Sequence, residues 1–249
     1  MKKCLLGFVV AAGLSMGFTA WTDLEPTLYS NLTTANAYTS ESDIDAALVG
    51  IYADLNPYPG DAWMYYAGYM VMTTDYTTDM GYSTAAGDPT KLSNMTYDAN
   101  NRYFKYNWQC MYQVISNANV LLQNIDNISM DETKKKQVIA QAKFLRALAY
   151  RDLTEGWGPV PLITELIDPS TAKNMPLTSV EDVNNFMIAD LKECIENLPE
   201  EWTGQDLARA TKGAAATLLG KIYLRSHDYT NAKTYIDMVL ELRDKGVYA

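Results

Sequence analysis

The sequence predicts an all-α protein, and three observations carry that prediction. Apolar residues return at helical spacing through successive stretches of the 249-residue chain. No stretch sustains the strict alternation of a half-buried strand. The breaks between the periodic stretches fall on proline, glycine and capping residues, where helices start and stop.

The first helix is expected over residues 38–58, with Ile44, Leu48, Ile51, Tyr52 and Leu55 on one face. Ser40 and Asp43 have the spacing of a capping box at its start, and Pro57 and Pro59 stop it. A shorter aromatic helix is expected over 63–72. Residues 73–104, TTDYTTDMGYSTAAGDPTKLSNMTYDANNRYF, then lose all periodicity and carry almost no aliphatic residue, the composition of a long surface loop. Loops longer than about 15 residues are uncommon in compact domains and are often functional.

From Trp108 the positions Met111, Tyr112, Ile115, Ala118, Leu122 and Ile125 form a core-facing stripe. Residues 133–154 repeat it with Val138, Ala142, Leu145, Ala149 and Leu153, and GWGPVP at 156–161 breaks it, with Trp157 locking the helix end. Thr178 and Glu181 have capping-box spacing before Val183, Phe186, Met187, Leu191, Ile195 and Leu198, and Pro199 closes that helix. The last two helices are expected over 212–225 and 229–242, with Asp228 as the N-cap of the second.

Leu219, Gly220, Tyr223 and Ala232 in that last pair stand at four positions that define the tetratricopeptide helix-turn-helix unit. Gly220 and Ala232 lack bulk where two helices would cross, and Tyr223 would fill the neighbouring groove. The architecture expected is therefore a set of tetratricopeptide-like hairpins with one long polar loop.

Lys2 and Lys3 followed by an apolar run over 5–16 have the layout of a secretory signal, expected over residues 1–20. Removing those two lysines takes the formal charge from −10 to −12, because residues 1–20 hold no acid. A surface this acidic repels nucleic-acid phosphates and anionic lipid heads, and neutral ligands suit it better. Cys110 and Cys194 fall inside apolar helical patterns and are expected as buried thiols rather than as a disulfide or a nucleophile.

No catalytic or metal constellation emerges. Ser226-His227-Asp228 spells a hydrolytic triad, yet three successive residues of one turn cannot aim at a common centre. One histidine and two unclustered cysteines give zinc or iron no site, and the loop aspartates lack calcium-loop spacing. No cofactor is expected. Nothing places two particular carboxylates at the separation glycoside hydrolysis needs.

Three blocks carry a resemblance: WQCMYQVISNANVLLQNID at 108–126, AKFLRALAYRDLTEGWGPVPLI at 142–163 and RATKGAAATLLGKIYLRSHDYTNA at 209–232, with TDLEPT just after the signal. In order and spacing they resemble the N-terminal half of SusD/RagB-type outer-membrane nutrient-binding proteins. The resemblance implies a lipid-tethered protein on the outer face of the outer membrane. Such a protein captures oligosaccharide, passes it to a SusC-like TonB-dependent receptor and catalyses nothing. Residues 21–249 would form the family's N-terminal α-helical domain, its C-terminal part being absent from this sequence. Trp21 stands where the family places its acylated cysteine, so no lipidation is expected there.

A sugar presents apolar C–H faces and a rim of hydroxyls, so its site combines aromatic surfaces with Asp, Asn and Gln groups. The resemblance places part of that surface in the loop, where the expected ligand-binding residues are Asp75, Tyr76, Asp79, Tyr82, Asp88, Asn94 and Tyr97. Trp108 and Trp157 are expected to be structural, while Trp63 and Trp202 stay open. Two other functions are carried alongside: a helical-repeat scaffold for protein partners and a secreted glycoside hydrolase.

Overall fold

The computed structural model describes residues 38–56 and 65–247. The chain is all-α: among the described residues the only β pairing is an isolated bridge between Val160 and Thr178. The expected export signal, Trp21, the two stopping prolines, and Trp63 at the start of the second expected helix lie outside the described residues.

Helix α1 (Glu41–Ala53) is shorter than the sequence suggested and opens on the expected capping box, Ser40 Oγ accepting from Asp43 N while the Asp43 carboxylate accepts from Ser40 N at 2.8 Å. A 3₁₀ turn (Tyr65–Ala67) and α2 (Tyr69–Asp75) follow. The polar stretch 73–104 is not one structureless loop. Gly87, with φ +92, turns the chain into α3 (Asp88–Ser93), which has Pro89 in its first turn. Leu92 and Tyr103 are buried there against Tyr69 in a small separate core. Six residues are too few to show a periodic stripe, so α3 left no pattern to read.

Helix α4 (Arg102–Asn124) begins well before Trp108, because the Asn101 side chain accepts from Tyr103 N and starts it there. Helix α5 (Glu132–Trp157) runs two residues into GWGPVP and stops at Gly158, whose φ of +73 suits glycine. After the short α6 (Pro169–Lys173) comes α7 (Val180–Asn197). Its cap is Ser179, accepting from Asp182 N, rather than the Thr178 and Glu181 pair. Thr178 is instead bonded through its backbone to Val160, with Thr178 N donating to Val160 O at 2.9 Å. Helices α8 (Lys212–Arg225) and α9 (Tyr229–Asp244) complete the frame, with Asp228 capping α9 as expected.

α4 packs on α5, α5 on α7, α7 on α8 and α8 on α9, while α1 and α2 lie against α4. A Cβ on Gly220 would sit 2.8 Å from Ile236 Cδ1 and 3.6 Å from the Ala232 carbonyl, so the closest approach of α8 and α9 does rest on absent bulk. Tyr223 stacks on Tyr235 beside it at 5.7 Å. Cys110 and Cys194 are free and buried, and burial pushes the Cys110 thiol up to about 11.

At the centre, Arg146 on α5 is 5% exposed and forks onto both Asp190 oxygens of α7, Nε to Oδ2 and Nη2 to Oδ1, each at 3.0 Å. Its Nη1 donates to Asn119 Oδ1 of α4 at 2.7 Å and to the Thr164 carbonyl at 3.4 Å. Tyr150 Oη both accepts from Ile163 N and donates to Ile163 O, and Tyr112 Oη donates to Pro161 O, so the extended segment 158–168 is held to α4 and α5.

Replacing Asp190 with Ala strands a buried guanidinium and should cost about 3–5 kcal/mol, whereas Arg146→Met combined with Asp190→Leu should recover most of that loss, as read by urea unfolding. Gly220→Leu should cost about 1–3 kcal/mol in the same assay, and Ile236→Ala in that background should return part of it.

Candidate functional site

Two adjoining hollows, about 590 and 370 Å³, open between α2, the turn before α4, the first turns of α4 and the end of α5. They share Tyr97, Phe104, Gly156 and Trp157, and so form one cleft. Phe104 and Trp108 are four residues apart on α4 and therefore lie on one helix face. Trp157, the last residue of α5, meets Trp108 edge to face at 5.5 Å, and Tyr97 leans on Phe104 at 5.0 Å. Gly156 leaves the wall low beside Trp157. Phe104, Trp108 and Trp157 are only half-buried, so ring surface is left open to a ligand. Thr73, Thr74 and Thr77 of the α2 end, with Asn107 and Glu155, supply the polar lining.

The α5 end that carries Trp157 is fixed from behind. Asp152 is fully buried and its Oδ2 accepts from the Tyr65 hydroxyl at 2.8 Å and also from the Tyr66 hydroxyl, while Arg151 Nη2 lies 2.8 Å from Oδ1. Burial raises the Asp152 carboxyl above its ordinary value, and Arg151 and the two hydroxyls only partly oppose this. Glu155, one turn on, is paired with Arg151 at 3.2 Å and with Arg225 at 3.4 Å, so its charge is compensated at the cleft edge.

Of the residues expected to bind ligand, the structure brings Tyr97 into this cleft. Asp75 ends α2 and is exposed, Tyr76 caps that helix and packs on the small core, and Asp79 lies exposed in the following turn. Tyr82 is 66% exposed. Asp88 pairs with Lys91 at 3.3 Å, and Asn94 ends α3. Phe104, Asn107, Thr73, Thr77 and Glu155 also line the cleft, outside that set. The four-residue spacing of Phe104 to Trp108 is the available signal, masked by the polar residues that surround Phe104. Trp108 and Trp157 do pack as expected, and they also face the cleft. Trp202 donates to the Ala210 carbonyl at 2.7 Å and packs against the core.

Among the described residues no helix is long and apolar enough to cross a membrane, and no group of three or more His, Cys, Asp or Glu is placed to hold a metal ion.

The family model described as "Starch-binding associating with outer membrane" matches residues 22–224, and the chain belongs to this SusD-like family. It is 28% identical over 241 residues to SusD-like protein P2 of Formosa agariphila, covering 96% of this chain and 46% of that protein. A SusD-like protein of Bacteroides ovatus is 36% identical over 141 residues, 54% of this chain and 25% of that one. The chain thus spans less than half the length of the curated relatives it matches. Among solved structures, a laminarin-binding SusD-like protein superposes with a TM-score of 0.71 at 30% identity, covering 81% of this chain and 44% of that one. A SusD-like carbohydrate-binding protein of Bacteroides fragilis superposes with a TM-score of 0.70 at 26% identity over 82% of this chain and 41% of that one.

The raised Asp152 carboxyl has a testable consequence. A folded-state value above the unfolded one means that its stabilising contribution is fully present below the unfolded value of 3.8 and is lost as pH rises through the raised value. Unfolding midpoints in urea should therefore fall from about pH 4 upward, and Asp152→Asn should flatten that fall.

Proposed function

We propose that this chain captures oligosaccharide at the outer face of a bacterial outer membrane and passes it to a SusC-like TonB-dependent receptor, without catalysing a reaction. The observation that carries the reading is the open cleft of Tyr97, Phe104, Trp108 and Trp157, whose half-exposed rings suit the C–H faces of pyranose units. Support comes from the family description and from similar structures described as binding laminarin or carbohydrate. Tyr82 and the exposed carboxylates Asp75 and Asp79 are proposed as outer contacts for further sugar units. Asp88, Asn94 and Tyr76 would act by holding the shape of the stretch that presents them. In this reading residues 1–20 direct export, residues 21–249 form the capture domain, and Trp21 takes no lipid.

The experiment is a titration of the full chain with laminarihexaose and maltoheptaose, followed by tryptophan fluorescence and calorimetry. Trp157→Ala should weaken the bound oligosaccharide by about tenfold or more, and Trp157→Phe should retain most of the affinity. Unchanged affinity in Trp157→Ala would remove the cleft as the capture site. Co-purification with a TonB-dependent barrel tests the delivery step, and its absence in a native membrane extract would count against that step.

A further inference from the structure

The polar lining of the cleft is one-sided. The single hydroxyl hydrogen of each of three threonines at the α2 end and the turn after it is spent on a carbonyl of α2: Thr73 Oγ1 donates to Tyr69 O at 2.9 Å, Thr74 Oγ1 to Val71 O at 3.0 Å and Thr77 Oγ1 to Thr73 O at 2.7 Å. Those oxygens can then only accept. Asn107, 1% exposed, donates through Nδ2 to Thr73 Oγ1 at 3.1 Å. Because Thr73 has no hydrogen left to give, this contact fixes the amide with its nitrogen toward Thr73. Asn107 lines the hollow, and its Oδ1 is left buried with no hydrogen-bond partner among the described residues. Glu155 adds carboxylate oxygens, which also only accept.

A buried acceptor without a donor is costly and rare in a folded protein. Here it belongs to a residue that lines a hollow of about 370 Å³ together with three threonines whose hydroxyls are spent and with Trp157.

We infer that Asn107 is a specificity-determining residue, whose Oδ1 takes a hydroxyl hydrogen from a neutral sugar unit seated between the α2 threonines and Trp157. This rests on the reading of the cleft as a glycan site. The ligand class that fits is a neutral polyhydroxylated ring, able to donate several hydrogen bonds to one wall while stacking an apolar face on the aromatic wall. A carboxylated or sulfated unit turned to the same wall would set acceptor against acceptor.

The test compares wild type, Asn107→Leu and Thr77→Val in the full chain, with laminarihexaose and maltoheptaose as probes. Asn107→Leu keeps the volume, removes the orphaned acceptor and leaves Thr73 its bond to Tyr69 O. It should therefore keep or raise the Tm while weakening the bound probe about tenfold. Thr77→Val keeps the shape and loses an acceptor, and should weaken the probe about threefold. Equal affinity in wild type and both variants would overturn the inference and leave the capture site standing, with Trp157→Ala still weakening the probe about tenfold or more. A loss of affinity accompanied by a fall in Tm would make Asn107 a packing residue and overturn the inference. If neither probe binds wild type, both the capture reading and this inference fail.

Discussion

The side chain of Arg146 carries a positive charge into the interior of the helical frame, and the placement of four chain segments follows from how that charge is compensated. Its fork reaches both oxygens of Asp190, the side-chain carbonyl of Asn119 and the backbone carbonyl of Thr164. These belong to α7, α4 and the extended segment, while Arg146 itself is on α5. Burial raises the Asp190 carboxyl above its ordinary value and so opposes the charge that Arg146 requires. A pair desolvated to this degree adds little net stability over an apolar replacement. What it supplies is registration, since the four segments meet its donors at one point. The Phe186 ring, 4.8 Å from the guanidinium carbon, closes the site on another side.

The cleft depends on that registration at one remove. Asn119 Nδ2 donates to the Ile163 carbonyl, Tyr150 holds the same residue through both its backbone groups, and Tyr112 holds Pro161. With the outgoing segment held along α4 and α5, the chain reverses at Gly158 and Trp157 stands against Trp108. Asp152 and the paired tyrosines Tyr65 and Tyr66 hold the same end of α5 from behind. The Trp157 end of the aromatic surface is therefore held by hydrogen bonds on two sides, which suits a site that must hold its rings in place before the ligand arrives.

Much of this frame was legible from periodicity and punctuation. The bounds of α8, the cap at Asp228 and the small-residue crossing at Gly220 follow from spacing alone, because each is local or depends on one steric requirement. The capping position at α7 shifted by one residue because Thr178 is drawn into a backbone bridge with a residue eighteen positions earlier, a contact that no local pattern encodes. The stretch before α4 hid its order for a related reason. Leu92, Tyr69 and Tyr103 form a core of three residues scattered over a polar sequence, so burial there comes from tertiary proximity rather than from a stripe. The cleft was harder still. Tyr97 could be nominated as an aromatic residue in a polar stretch, but Phe104, Asn107, Thr73 and Glu155 become one site only when α2, α4 and the end of α5 are brought together.

Why the wall offers acceptors rather than donors follows from where it is built. Thr73 and Thr74 stand in the last turn of a short helix and their hydroxyls bond back to carbonyls three or four residues earlier, while Thr77, two residues past the helix, donates to the Thr73 carbonyl. Satisfying the backbone this way exhausts the donors and turns lone pairs outward. Asn107 then orients to the only atom of Thr73 that can receive it, which strands its own oxygen in the same sense. An under-satisfied acceptor is tolerated more readily in a folded chain than an orphaned donor. A helix end lined with threonines is thus a low-cost way to hold a surface in want of hydrogen, and a ring bearing several hydroxyls is the neutral molecule best able to supply it.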